Sequence, residues 1–249
     1  MTTTTPHRPE PRTPGRSRPG GRGAGLVVVG VLALTIAAMS LVTYGTAGLD
    51  ELAERGGGLG GAYAQAAPFF QVALYVHIVS ASLALVLGPL QLLGRLRRRR
   101  PGLHRATGRV YLVAVGVGSL SGLAVLPVNS AGLVGVFGFG TLAVLWALTA
   151  ARGLRAVRSG DVAGHQAWML RNYALTFAAV TLRLWLGVLM GARLALGADP
   201  GAAFADAYAA VPFLCWLPNL VVAEWLVRRR GLPSYALPPA RVAAHAATP

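Results

Sequence analysis

Six long apolar stretches, separated by short polar connections, run along this chain. They are rich in Leu, Val, Ala and Gly and cover roughly residues 24–45, 69–93, 106–127, 131–151, 168–191 and 208–227. A helix needs about 20 apolar residues to cross the hydrocarbon core of a bilayer, and each stretch is that long. The pattern therefore predicts an all-α, six-span transmembrane helical bundle. No connection inside residues 24–230 is long enough to separate two domains, so we expect a single one.

The two ends of the chain have a different composition. Residues 1–23 are rich in Thr, Pro, Arg and Gly, and residues 231–249 contain several prolines and alanines. Such segments cannot bury enough apolar surface to offset the loss of conformational entropy. We therefore expect a disordered tail at each end of the membrane domain.

The arginines predict the orientation of the bundle. All 23 basic residues are Arg, and 20 of them lie before the first span, around the second and fourth connections, or after the last span. The positive-inside rule then places both termini in the cytoplasm. Membrane topology and anionic lipid headgroups thus account for the net charge of +15, and we expect no nucleic-acid partner.

Three polar side chains share one layer inside the predicted bundle. His77, Arg183 and Asn219 lie ~12, ~13 and ~15 Å from the outer ends of their spans at 1.5 Å rise per residue, and Thr176 shares the helical face of Arg183. A charged residue at this depth costs a few kcal/mol, so it normally faces the bundle interior. One interpretation is a structural network that sets helix register; the other is an intramembrane site for a small molecule, an ion or a quinone. We expect His77 and Arg183 to share a polar cavity open toward the outer side.

A second polar cluster lies at the predicted cytoplasmic surface. His104 and His165 begin the third and fifth spans, and Arg105, Arg109 and Arg171 follow within two turns. Anchoring at the lipid headgroups is one explanation of this cluster. The alternative is that the two histidines face each other and bind a headgroup-like anion or the iron of a haem b, for which neutral imidazole is a good axial ligand.

The chain contains no complete catalytic signature. It has no HExxH or CxxC motif and no pair of intramembrane carboxylates, and Cys215 is its single cysteine. The sequence therefore predicts no enzyme class and no metal site other than the haem iron that His104 and His165 would ligate.

Three segments resemble the bacterial membrane family called domain of unknown function 2306. They are LYVHIVSASLALVLGPLQLL, PGLHRATGRVYL and GHQAWMLRNYALTFAAVTLRLW, and the resemblance spans roughly residues 70–190. It selects His77, His104, Arg105, Gly108, Arg109, Tyr111, His165, Trp168, Met169, Arg171 and Arg183. The resemblance implies a multi-pass protein of the bacterial inner membrane, but the family has no settled activity and supplies no function.

A looser similarity connects the bundle with the ascorbate-type b cytochromes, which hold two haems with four histidines. The fourth span of this chain has no histidine, so His77 has no partner for an outer haem. The similarity implies at most one haem, between His104 and His165.

Three functions follow from these observations. The first is a membrane redox protein that binds haem b or a quinone near His104 and His165. The second is a small-molecule or ion transporter, or a binding protein, that uses His77 and Arg183. The third is a structural subunit of a membrane complex whose protein partners the sequence does not identify.

Overall fold

A computed structural model of the chain describes residues 20–54 and 58–233, and within those residues every regular element is helical. The elements are α1 (Gly20–Thr46), α2 (Leu49–Glu54), α3 (Gly58–Ala64), α4 (Pro68–Leu92), α5 (Gly94–Arg99), α6 (Pro101–Ala124), a 3-10 turn (Leu126–Val128), α7 (Gly132–Arg158), α8 (Val162–Thr176), α9 (Ala178–Ala195), α10 (Pro200–Leu214) and α11 (Leu217–Arg229). The two predicted tails fall mostly outside the described residues.

Six helical segments are long and apolar enough to cross a membrane. They are Gly23–Thr46, Pro68–Leu92, Pro101–Ala124, Gly132–Arg158, Val162–Ala195 and Pro200–Arg229. The prediction of an all-helical protein with six spans is therefore confirmed for the described residues.

Three of the spans begin five or more residues earlier than hydropathy predicted. The third begins at Pro101 instead of residue 106, the fifth at Val162 instead of residue 168, and the sixth at Pro200 instead of residue 208. Proline fits the first turn of a helix, where its missing N–H would have no intrahelical acceptor. Asp199 also caps the sixth span by accepting from the amides of Gly201 and Ala202. Hydropathy misses these turns because it records polarity and ignores helix-start signals.

Glycines allow the helices of the bundle to approach closely. A Cβ atom on Gly118 would lie 2.8 Å from the indole of Trp146, and one on Gly138 would lie 2.5 Å from Cβ of Pro212. Small residues are the usual way for membrane helices to pack, because lipid supplies no hydrophobic force between them. The packed centre holds Tyr111, Trp146, Tyr173, Cys215 and Trp216.

The fifth and sixth spans are each interrupted near the middle. Phe177 separates α8 from α9, and Cys215 with Trp216 separates α10 from α11. In the sixth span, Pro212 and Pro218 lack the N–H that would continue the helical ladder, which is a known cause of kinks. Both interruptions lie next to the cavities described below.

Candidate functional sites

Two cavities lie in opposite halves of the bundle. The outer-half cavity, of about 250 Å³, is lined by the ends of α1 and α6, the beginnings of α4, α7 and α9, and α3 and α10. The inner-half cavity, of about 180 Å³, is lined by the end of α4, by α5, and by the beginnings of α6 and α8. Here the inner half is the name for the end of the bundle that carries most of the arginines, and the outer half is the name for the opposite end.

Arg183 and His77 both lie in the wall of the outer-half cavity. The Arg183 guanidinium donates from Nη1 to the carbonyl oxygen of Ala179 at 2.8 Å and from Nη2 to Oγ of Ser40 at 2.6 Å. No carboxylate pairs with Arg183 among the described residues. The cavity thus contains a cation that no carboxylate of residues 20–54 and 58–233 balances.

His77 presents one ring nitrogen to the protein and leaves the other available. Its Nδ1 lies 2.9 Å from the carbonyl oxygen of Gly118, which can only accept, so Nδ1 carries the proton. In the neutral ring Nε2 is then an acceptor. A Cβ on Gly122 would lie 3.2 Å from the imidazole, so the absence of a side chain there makes room for the ring.

The remainder of the outer-half lining is mostly apolar and rich in aromatic side chains. It includes Tyr44, Tyr63, Phe139, Trp146 and Tyr208. Tyr63 lies in α3, outside the six spans, and burial raises its pKa to about 12, with a smaller contribution from the nearby Tyr44. The Tyr63 phenol is therefore neutral at physiological pH and supplies no charge to balance Arg183.

Thr176 also lines the outer-half cavity, whereas Asn219 does not. The Asn219 amide donates to the carbonyl oxygens of Ala174 and Cys215 at 3.2 and 3.0 Å, and to Oγ1 of Thr181 at 2.9 Å. Two of these acceptors are backbone groups beside the helix interruptions. Asn219 therefore joins the interrupted fifth and sixth spans instead of facing the cavity with His77 and Arg183.

His104 and His165 line the inner-half cavity together. The arginines that line it with them are Arg97 and Arg230, which the sequence did not single out as site residues. Arg97 comes from α5, which lies before the third span, and Arg230 follows the end of the sixth span. Only packing of the helix ends brings the two arginines to one wall.

The three arginines predicted to accompany the histidines lie elsewhere. Arg105 and Arg109 are exposed, and neither lines the cavity. The Arg171 side chain is only 3% exposed and forms a two-pronged ion pair with Glu224, whose side chain is 23% exposed. The Nη2–Oε2 distance in this pair is 3.0 Å, and the guanidinium lies 4.8 Å from the ring centre of Trp168.

The inner-half residues do not support haem binding. Nδ1 of His165 lies 2.9 Å from the carbonyl oxygen of Gly153, which leaves its Nε2 free, and Nδ1 of His104 is buried without a hydrogen-bond partner in the described part of the chain. Yet the cavity is smaller than the ~300–1,000 Å³ of pockets for drug-sized ligands, and a porphyrin needs more room. The described residues also contain no group of three or more His, Cys, Asp or Glu side chains placed to hold a metal ion.

A buried hydrogen-bond network separates the two cavities. The Tyr111 hydroxyl donates to Oδ1 of Asn172 at 2.6 Å and lies 2.9 Å from Oγ1 of Thr176, which accepts from the indole N–H of Trp146 at 2.8 Å. The Asn172 amide donates to Oγ1 of Thr149 and the carbonyl oxygen of Trp146, each at 2.8 Å. This network, called the central network below, has a partner for each of these polar groups, as burial requires.

Residues 74–227, more than half of the chain, match the family model described as Predicted membrane protein (DUF2306). The chain therefore belongs to this family of membrane proteins. The resemblance inferred from the His77, His104 and His165 motifs is thus confirmed, while nothing supports the similarity to b cytochromes. No curated protein and no solved structure matches the chain.

Proposed function

We propose that this protein binds a small organic anion inside the membrane, in the outer-half cavity. One observation carries the proposal: Arg183 lies in a membrane-spanning helix, lines a mostly apolar cavity, and has no carboxylate partner among the described residues. A charged residue within the membrane normally pairs with an opposite charge or marks a functional pathway. An anionic ligand would supply the missing counter-charge.

The guanidinium of Arg183 has donors to spare for such a ligand. Of its five N–H groups, the described residues use two, toward Ala179 and Ser40. The planar fork of an arginine suits carboxylate, sulfonate and phosphate oxygens. In the low-dielectric interior these charge-assisted bonds are stronger than at a water-exposed surface.

The cavity also suggests the rest of the ligand. Its volume of about 250 Å³ is close to the lower end of the ~300–1,000 Å³ typical of small-molecule sites. Apolar and aromatic side chains cover most of the wall, and the His77 Nε2 adds one acceptor. A compact aryl or short-chain acid fits these features, with its anionic group at Arg183 and its apolar body against the aromatic side chains.

Binding of benzenesulfonate to the purified protein in detergent tests the proposal. Benzenesulfonate is ionised at all accessible pH values and carries one apolar ring. We expect saturable binding by calorimetry and ligand-dependent thermal stabilisation, and no binding of the neutral benzyl alcohol. Arg183→Gln should abolish binding of the sulfonate.

Arg193→Gln is the matched control for this experiment. Arg193 lies on the same helix and carries the same charge, but it is 46% exposed and pairs with Asp206. Its replacement should leave benzenesulfonate binding unchanged. Equal loss of binding in the two variants would show a nonspecific effect of net charge and would contradict the proposed site.

We also propose that the protein lies in the bacterial inner membrane with both termini in the cytoplasm. The asymmetry of the arginines supports this orientation through the positive-inside rule. Reporter proteins fused at residue 58 and at the C-terminal Pro249 should report opposite sides of the membrane. Two fusions on the same side would contradict the orientation without affecting the proposed ligand site.

A further inference from the structure

We propose that the protein transports an organic anion across the membrane, and that the two cavities are successive binding sites on the transport path. This inference rests on the proposed function, because the outer-half cavity is the first binding site of the transport path. It adds three things: a second cationic cavity, a thin partition between the cavities, and two interrupted helices beside that partition.

The inner-half cavity has the charge that an anion path requires. Arg97, Arg230, His104 and His165 line it, and neither cavity has an Asp or Glu in its wall within the described part of the chain. His104 and His165 lie in the first turns of α6 and α8, where the helix dipole favours negative charge, and the Asp161 carboxylate already caps the start of α8. Thus the two halves of the bundle each offer cationic groups to the same class of ligand.

One hydrogen-bonded contact connects the walls of the two cavities. Tyr111 lines the inner-half cavity, Thr176 lines the outer-half cavity, and their hydroxyl oxygens are 2.9 Å apart. The rest of the central network, through Asn172 and Trp146, holds these two side chains in place. Displacing the Tyr111 side chain would therefore join the cavities without unpacking the whole bundle.

The helix interruptions supply places where the backbone can bend next to this partition. Thr176 is the last residue of α8, and a one-residue irregularity at Phe177, whose φ of −68° and ψ of −8° remain in the helical region, separates it from α9. The interruption at Cys215 and Trp216 faces it from the sixth span, and Asn219 joins the two through hydrogen bonds. Discontinuous helices around a midplane site are the usual arrangement of secondary transporters, where half-helices move as units.

Flux into vesicles distinguishes transport from binding alone. The full-length protein in phospholipid vesicles should take up radiolabelled benzenesulfonate down its gradient at a saturable rate. Protein-free vesicles should take up little, because the sulfonate is permanently charged. Arg183→Gln should abolish uptake, and Arg97→Gln combined with Arg230→Gln should reduce it while leaving binding in the outer-half cavity unchanged.

Tyr111→Phe tests the partition, because it keeps the ring and removes the hydroxyl. We expect uptake to become about fivefold faster, the equivalent of losing about 1 kcal/mol of hydrogen bonding that holds the partition closed, with affinity for benzenesulfonate unchanged. Tyr75→Phe is the matched control and should leave uptake unchanged. Tyr75 lies in α4, lines neither cavity and takes no part in the partition.

Each outcome separates the two proposals. Binding without uptake would overturn the transport path and leave the proposed function standing, whereas absence of binding would remove both. Uptake that Arg183→Gln leaves unchanged would place the path elsewhere and overturn the inference. If Tyr111→Phe does not fold, as judged by gel filtration, the Arg97 and Arg230 double variant decides: uptake at the wild-type rate would exclude the inner-half cavity from the path.

Discussion

Two arginines of the fifth membrane span, Arg171 and Arg183, stand in different electrostatic surroundings. Arg171 pairs with Glu224 of the sixth span through both carboxylate oxygens and lies against Trp168. Arg183 lines a cavity, and its hydrogen-bond partners in the described part of the chain are the neutral oxygens of Ala179 and Ser40. The two residues are twelve positions apart in the same span, so their place in that span does not by itself explain the difference.

The difference distinguishes a charged residue that stabilises the fold, Arg171, from one that is available to bind a ligand, Arg183. The Arg171 charge is balanced inside the protein, so an added anion would have to displace Glu224. The Arg183 guanidinium is hydrogen-bonded, but no carboxylate among the described residues balances its charge, and it lines a cavity. A buried arginine therefore indicates a ligand site only when the three-dimensional structure shows that no carboxylate of the protein reaches it.

The largest effect is expected from breaking the Arg171 pair. Arg171→Leu leaves the Glu224 carboxylate largely buried and unpaired, which should lower the free energy of unfolding by about 3–5 kcal/mol. Thermal unfolding of the detergent-solubilised protein measures the change. The double variant Arg171→Leu with Glu224→Leu should recover most of the loss, since both charges are then absent. A single variant as stable as wild type would show that the pair has no structural role.

The same substitution at Arg183 should have a small effect on stability and a large effect on ligand affinity. Arg183→Leu removes a charge that no described carboxylate balances, so the free energy of unfolding should change by less than about 1 kcal/mol. Benzenesulfonate affinity should fall about 30-fold or more, equivalent to about 2 kcal/mol. Arg183→Lys should restore only part of it, because an ammonium cannot reproduce the guanidinium fork. Calorimetric titration measures the affinities, and strong destabilisation without loss of affinity would reverse the assignment of the two arginines.

A designed partner should make Arg183 resemble Arg171. Ser40 of α1 already accepts from Nη2 of Arg183 at 2.6 Å, so Ser40→Asp places a carboxylate beside the guanidinium. We expect stability to be retained and benzenesulfonate affinity to fall about tenfold, or about 1.4 kcal/mol, because the new carboxylate competes with the ligand. Ser40→Asn is the uncharged control and should bind nearly as well as wild type. Full binding by Ser40→Asp would show that the ligand does not contact Arg183.

The smallest effect is expected at the exposed arginines of the third span. Arg105→Gln and Arg109→Gln should each change the free energy of unfolding by less than about 0.5 kcal/mol, since both residues are exposed and line neither cavity. Neither variant should alter benzenesulfonate binding. A large loss in either measurement would show that the motif containing them has a role beyond anchoring at the lipid surface.

Sequence reasoning reached part of the outer-half site. His77 and Arg183 lie at similar depths in antiparallel helices, and rise per residue is a local property that counting can follow. Asn219 has a similar depth but a different direction, and it bonds to the helix interruptions. Depth alone therefore does not indicate which way the Asn219 side chain points. The proline pair Pro212 and Pro218 was the available signal that the sixth span is interrupted there.

The hydropathy of the chain by itself determined the number of spans, because membrane insertion depends on apolar length, which adds up locally along the chain. Tertiary structure alone decided which charges are balanced. Arg171 pairs with Glu224 from 53 positions away, and Arg97 and Arg230 line one cavity although they are 133 positions apart in the chain (230 − 97). Those contacts depend on the rotation of each helix about its axis and on its neighbours, and both are set by glycine and side-chain packing between segments distant in the chain.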